Sequence, residues 1–160
     1  MSDCCKKGKK KFNWKIPAAS IAVILLVAVV FASNTSAEHD ALVYKTPDCG
    51  CCDIHASYMQ GDFNVETKDI TQREMYNLKE DKGIPSDVYS CHTSIIEGYI
   101  VEGHMPMEVI EKLLEEQPDI VGIALPDMPS GSPGMPGQKT EEWTIYAINE
   151  DGSYEEYMRL

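Results

Sequence analysis

The stretch that decides the fold is ALVYKTPDCGCC, residues 41–52. Its first four residues form an apolar run typical of a buried strand, and Thr46-Pro47-Asp48 has the composition of a turn that caps a helix. The helix is predicted at residues 51–60, so three cysteines stand at its start. The sequence therefore predicts a strand-to-helix turn that presents thiols.

Further elements follow in an alternating order. The spacing predicts strands at residues 63–67, 93–96 and 99–101, helices at residues 72–81 and from Pro106 onward, and a last hairpin from residues 143–148 and 153–158. Met107, Ile110, Leu113 and Leu114 mark the buried face of the third helix. An order of β-α-β-α-β-β-α with thiols at the first strand-to-helix turn is typical of a thioredoxin-like α/β (α+β) domain.

A basic leader and an apolar segment precede this domain. Residues 1–15 carry six lysines, and residues 16–32 would form a helix of roughly 25 Å, the short limit for a bilayer span. The segment is either a retained transmembrane anchor or a signal peptide cut after Ala37. The long leader and Trp14, suited to a membrane interface, favour the anchor. Because basic flanks stay in the cytoplasm, both alternatives place the domain outside it.

The predicted linker at residues 33–40, which includes His39, leads into a domain at residues 41–160. The chain has a net charge of −12 although six of its 14 basic residues lie in the leader, so the domain is strongly acidic. Such a domain repels nucleic acid. An acidic surface attracts cations or a basic partner, or serves solubility alone.

The thiols of Cys49 and Cys52 form a C-x-x-C, with Cys51 between them. At a helix N-terminus, unpaired backbone N–H groups and the macrodipole favour a thiolate, which is both a nucleophile and a metal ligand. The motif alone therefore does not separate redox exchange from metal capture. A third alternative is a pair of structural disulfides. Four cysteines allow three pairings; a bridge between the neighbours Cys51 and Cys52 would be strained, and the favoured pattern is Cys49–Cys52 with Cys51–Cys91.

Soft donors elsewhere in the sequence favour a metal. Cys91 and His92 are adjacent, His104 precedes the third predicted helix, and Met128 and Met135 stand in the Pro/Gly/Ser-rich loop at residues 127–139. Thiolate, imidazole and thioether ligands together suit Cu(I) better than hard cations, whereas Zn(II) also accepts cysteine and histidine.

Each of these residues also has a simpler interpretation. On motif alone, a capping or polar contact before a helix is the favoured explanation of His104, and packing in the core is that of Met107. Met128 and Met135 can pin their loop to the domain. His55 shares a helix face with Cys51 but is predicted to be an exposed surface residue.

Four segments together resemble the domain-of-unknown-function 411 (DUF411) family: VYKTPDCGCC at residues 43–52, SCHT at 90–93, VEGHMP at 101–106 and MPSGSPGM at 128–135. Members are small predicted metal-binding proteins, usually extracytoplasmic and associated with copper handling. The resemblance runs from about residue 41 to residue 157. It implies metal ligands at Cys49, Cys51, Cys52, Cys91, His92, His104, Met128 and Met135.

Two departures accompany this resemblance. The family pattern leads us to expect an aromatic residue at the position of His55. The family also resembles the glutaredoxin and thioredoxin group, which places a cis-proline loop beside the C-x-x-C. Here Cys91-His92-Thr93 occupies that region without a proline, which argues against a general disulfide exchanger.

We therefore expect a membrane-tethered or secreted thioredoxin-like domain that binds Cu(I) in copper trafficking, buffering or resistance, as a metal-binding protein rather than an enzyme. Cys49, Cys52 and Cys91 are the predicted primary thiolates, Cys51 is an additional or redox thiol, and His92 or His104 completes or orients the site. The methionine loop is predicted to act as a lid.

The expected partners are a metal ion, a copper transporter or cuproprotein, and the membrane through the N-terminal segment, but not nucleic acid. Two alternatives stay open. One is a thiol–disulfide oxidoreductase in which Cys49 attacks and Cys52 resolves. The other is a disulfide-stapled domain that binds a protein partner.

Overall fold

Strands and helices alternate as the sequence predicts. The computed structural model of the chain describes residues 39–160, in which seven strands form one mixed sheet accompanied by three α-helices. The strands are β1 (His39–Lys45), β2 (Phe63–Asp69), β3 (Thr93–Ile96), β4 (Tyr99–Glu102), β5 (Gly122–Ala124), β6 (Thr144–Ile148) and β7 (Tyr154–Arg159). The helices are α1 (Gly50–Met59), α2 (Gln72–Asp81) and α3 (Met107–Glu116), with a 3₁₀ turn at Ser86–Val88.

The predicted leader and apolar segment, and the predicted cleavage site, lie outside the described residues. None of the helices within residues 39–160 has the length and apolarity needed to cross a lipid bilayer. Residues 39–160 belong to one compact unit.

Helix α2 begins where its sequence provides a complete capping box. The Thr71 hydroxyl accepts a hydrogen bond from the Glu74 backbone N–H, and the Glu74 carboxylate accepts one from the Thr71 backbone N–H. This reciprocal pair satisfies two N–H groups that a helix start leaves unpaired. Helix α3 follows Pro106, and its Met107, Ile110 and Leu113 side chains enter the main hydrophobic core as predicted.

The sheet has the strand order β2-β1-β3-β4-β5-β6-β7. β1 runs parallel to β2, β3 runs antiparallel to both β1 and β4, and β4 runs parallel to β5. The register pairs Tyr44 with Thr93, Thr93 with Glu102, and Glu102 with Ala124. These four residues form one row across the sheet, so the segments that continue beyond it meet at a single edge. The cysteine turn, the SCHT segment, His104 and the methionine loop all leave the sheet there.

Two features of the sheet differ from the sequence prediction. β5 was not predicted, because three buried residues are too few to show an alternating pattern. It pairs with β4 and β6 and thereby joins the C-terminal hairpin to the main sheet. His39, predicted as linker, is the first residue of β1.

Candidate metal centre

A buried lysine fixes the turn between β1 and α1. The Lys45 ammonium at the end of β1 lies 2.9 Å from the Asp53 carboxylate in the first turn of α1 and 2.8 Å from the Asp69 carboxylate at the end of β2. Hydrogen bonds to Asp69 and Asp53 raise the pKa of Lys45. The charged lysine therefore ties the start of α1, and its cysteines, to the ends of two strands.

The four cysteines of the described domain differ in state. Cys49 and Cys52 form a disulfide, whereas Cys51 and Cys91 are free thiols and partly exposed. Of the two predicted disulfides, Cys49–Cys52 is therefore present and Cys51–Cys91 is absent. Cys52 is fully buried, and the Cys51 Sγ atom lies 3.6 Å from Cys49 Sγ.

Three histidines lie next to these thiols, each without solvent exposure. The ring centroids of His55, His92 and His104 are 4.8 to 5.1 Å apart. The prediction that His55 is an exposed surface residue is wrong. His55 follows Cys52 by three residues on α1, so the two share the buried helix face. That spacing was the sequence signal for its position.

Backbone carbonyls determine which nitrogen carries the proton in His55 and His104, and His55 then determines it in His92. His55 Nε2 lies 3.0 Å from the Met105 carbonyl oxygen, so it must donate. In neutral His55 the Nδ1 atom is then an acceptor, and it lies 3.1 Å from His92 Nε2. His92 Nε2 therefore donates, which leaves a lone pair on His92 Nδ1. This lone pair faces Cys91 Sγ at 3.3 Å.

His104 reaches the same sulfur from another side. Its Nδ1 atom donates to the Pro133 carbonyl oxygen at 2.6 Å, so its Nε2 atom carries a lone pair. His104 Nε2 lies 3.0 Å from Cys91 Sγ. Two imidazole lone pairs thus converge on one thiol, which has a single hydrogen to donate. An imidazole that donates its other N–H to a carbonyl is the arrangement of a metal-ligating histidine.

Burial keeps the three imidazoles uncharged. It lowers the pKa of His55 to about 4 and the pKa of His104 below its usual value. Burial, and to a lesser extent repulsion from the neighbouring histidines, lower the pKa of His92 well below its usual value. Burial and the adjacent Cys51 raise the pKa of Cys91 to about 12, so in the metal-free protein Cys91 is a thiol. A metal that binds here finds two neutral nitrogen ligands and displaces one thiol proton.

Two overlapping groups of ligand atoms result. The first is all sulfur, and the second mixes two sulfurs with two nitrogens; within each group all ligand atoms lie within 4.8 Å of one another. The sulfur group is Cys49, Cys51, Cys52 and Cys91, and the mixed group is Cys52, Cys91, His92 and His104. Cys52 and Cys91 belong to both groups. The structure therefore brings together all six of the predicted cysteine and histidine site residues.

A buried ion pair holds the segment that carries Cys91 and His92. The Lys79 ammonium of α2 pairs with the Glu102 carboxylate at the end of β4 and donates to the Ser90 carbonyl oxygen at 2.9 Å. Glu102 also accepts from the Ser90 backbone N–H and from the Thr93 hydroxyl, both at 2.6 Å. Both ends of the SCHT segment are thus anchored. Sequence reasoning missed this pair because a lysine in a polar helix has the pattern of a surface residue.

The methionine loop reaches the site through its backbone. Gly134 has a φ of +86°, and a Cβ atom there would lie 2.8 Å from the Cys51 carbonyl oxygen and 3.1 Å from His104 Nδ1. Only glycine fits this close approach. Pro133 and Gly134 thus cover His104. The roles of Met128 and Met135 as thioether ligands stay predictions.

A mixed α/β domain that gathers cysteines and neutral histidines at one sheet edge defines a candidate metal-binding protein. The chain belongs to the DUF411 family, described as proteins of unknown function, whose sequence model matches residues 88–135. Two solved structures, form 2 and form 1 of copper resistance protein CopG, are each 32% identical to this chain with a TM-score of 0.68. The matches cover 77% and 76% of this chain and 98% and 96% of theirs. Comparison with curated proteins finds no match.

Proposed function

We propose that this protein is a thioredoxin-like Cu(I)-binding protein that acts in copper trafficking, buffering or resistance. The observation that carries the proposal is the convergence of the His92 Nδ1 and His104 Nε2 lone pairs on Cys91 Sγ. A cation placed among these atoms could bind both imidazole nitrogens and the sulfur through their lone pairs. The single hydrogen of the thiol can be donated to only one of the two nitrogens. The similarity to structures named copper resistance protein CopG supports copper as that cation.

The mixed group supplies the principal ligands. Cys52 and Cys91 contribute thiolates, and His92 and His104 contribute imidazoles. Soft sulfur donors favour Cu(I), while two thiolates with two imidazoles also suit Zn(II). The thioethers of Met128 and Met135 and the similarity to copper resistance protein CopG are our reasons to prefer Cu(I). Cys49, predicted as a primary ligand, becomes available only when its disulfide is reduced.

The location and the partner belong to the same proposal. The basic leader and the apolar segment at residues 16–32 support a domain held outside the cytoplasm by a membrane anchor. There it would exchange copper with a copper transporter or a cuproprotein. The acidic surface suits a basic docking partner.

A thiol–disulfide oxidoreductase is the second candidate, because the Cys49–Cys52 disulfide lies at the start of α1. It predicts that the metal-free protein turns over a disulfide substrate and that Cys49→Ser abolishes turnover. Metal binding without such turnover would remove this candidate.

The test is a Cu(I) competition titration of the reduced, anaerobic protein against a chromogenic Cu(I) chelator, with Zn(II) titrated in parallel. We expect tight binding of Cu(I), and at least about a tenfold loss of affinity in Cys91→Ser, since Cys91 belongs to both ligand groups. Unchanged affinity in that variant would remove Cys91 from the site.

A further inference from the structure

We propose that the domain carries out an internal thiol–disulfide exchange in which Cys51 takes over the bond to Cys49 and releases Cys52 to the metal. The inference rests on the proposed metal-binding function. It adds a route by which the oxidised protein completes its ligand set without an external reductant.

The need for this step follows from the position of Cys52. Its sulfur is one of four atoms in the mixed group, yet it is bonded to Cys49. A disulfide sulfur is not a thiolate, and the thiolate is the form that ligates metal. Of the mixed group, the oxidised protein therefore offers only Cys91, His92 and His104 until the bond to Cys52 breaks.

The geometry supplies the attacking group. Cys51 is a free thiol, and its Sγ atom lies 3.6 Å from Cys49 Sγ, in van der Waals contact with one sulfur of the disulfide. Cys51 is partly exposed whereas Cys52 is fully buried among the candidate ligands. Exchange thus moves the disulfide toward the surface and leaves the free sulfur inside.

The backbone between Cys49 and Cys51, which are both partly exposed, can accommodate the new bond. A Cβ atom added at Gly50 would meet nothing within 4 Å, so lack of space does not explain the glycine. Its remaining property is conformational freedom between Cys49 and Cys51. A bond between Cys51 and Cys52, the other product of attack by Cys51, would join neighbouring residues and be strained.

The step balances without a redox partner. Cys51 loses its proton to solvent, and its thiolate attacks Cys49 Sγ. The Cys49–Cys51 bond forms, the Cys49–Cys52 bond breaks, and Cys52 leaves as a thiolate that binds the metal. One disulfide and two cysteine sulfurs outside it are present before and after.

Zn(II) is the probe for the test, because it has no redox chemistry and suits two cysteines with two histidines. The full chain with Cys4→Ser and Cys5→Ser is prepared anaerobically with one disulfide and then incubated with or without Zn(II). After quenching in acid denaturant, free thiols are blocked with one alkylating reagent. The disulfide is then reduced and labelled with a second reagent, and tandem mass spectrometry locates each label.

We expect the first label on Cys51 and Cys91 without Zn(II), and on Cys52 and Cys91 with it. A further Cys51→Ser substitution should weaken Zn(II) binding by the oxidised protein at least about tenfold, because a ligand is lost. After reduction this variant should bind as its parent does, since Cys51 lies outside the mixed group.

Two results would overturn the exchange. One is a disulfide that stays between Cys49 and Cys52 in the Zn(II)-loaded protein. The other is equal Zn(II) affinity of the oxidised parent and its oxidised Cys51→Ser variant. Neither result contradicts metal binding by the reduced protein. If the reduced protein binds neither Zn(II) nor Cu(I), the proposed function fails, and the exchange fails with it.

Discussion

Two buried polar clusters lie side by side at one sheet edge, and they differ in whether their charged and hydrogen-bonding groups find partners within the protein. In the Lys79–Glu102 cluster, opposite charges pair, and the carboxylate also accepts from Ser90 and Thr93. In the Cys91 cluster, two imidazole acceptors face one thiol. The charges of the first cluster are paired without a ligand, whereas the two acceptors of the second share a single hydrogen. Unmet bonding capacity, rather than burial of polar groups, therefore distinguishes a binding site from its scaffold.

The largest effect should come from breaking the Lys79–Glu102 cluster. Lys79→Met leaves the Glu102 carboxylate buried without its cation, which typically costs about 3–5 kcal/mol. We expect the free energy of unfolding of the metal-free protein, measured by urea denaturation, to fall by that amount.

The matched control is Lys112→Met, which removes an exposed pair with Glu116 on α3. Solvent screens such an exposed pair, so its loss should change the free energy of unfolding little. Equal losses in the two variants would contradict a structural role for the buried pair.

The second effect concerns the Cys91 cluster. His55→Ala removes the acceptor that fixes the proton of His92 on Nε2 and its lone pair on Nδ1. Loss of such a partner behind a ligand typically weakens metal binding about 10–100-fold. A Cu(I) competition titration of the reduced protein should show that loss.

His55→Asn tests the cause, because its amide oxygen can occupy the position of Nδ1 and accept from His92. We expect Asn to recover most of the affinity. Equal losses in Ala and Asn would show that His55 acts through packing alone.

The smallest effect should come from the cover over His104. Gly134→Ala places a methyl group against the Cys51 carbonyl and His104 and strains a positive φ. We expect a loss of Cu(I) affinity of about tenfold, equivalent to about 1.4 kcal/mol.

Gly152→Ala is the control, since its φ of +79° carries similar strain but a Cβ atom there meets nothing within 4 Å. It should lower stability by about 1–2 kcal/mol and leave the affinity unchanged. A similar loss of Cu(I) affinity in both variants would show that the loop around Gly134 has no specific role in metal binding.

The sequence predicted the parts of the fold that depend on local pattern. The predicted bounds of α2 (residues 72–81) and β3 (residues 93–96) match the structure, because a helix start and a hairpin turn depend on neighbouring residues. β5 escaped prediction because its assignment depends on pairing with β4 and β6 and not on its own three residues.

The site residues likewise divide into those that local sequence motifs reveal and those that only the tertiary structure reveals. Cys49, Cys91 and His104 lie in compact motifs whose residue types indicate their chemistry. His55 and Lys79 are ordinary residues of helices, and only tertiary packing decides that they are buried beside the site. Which thiols pair is equally a matter of three-dimensional distance.

X-ray absorption spectroscopy of the Cu(I)-loaded protein at the copper edge would test most directly whether the Cys91 cluster is the metal site. We expect a first coordination shell that contains both sulfur and imidazole nitrogen, with the nitrogen contribution reduced in His92→Ala. A shell of sulfur alone, unchanged in that variant, would contradict it.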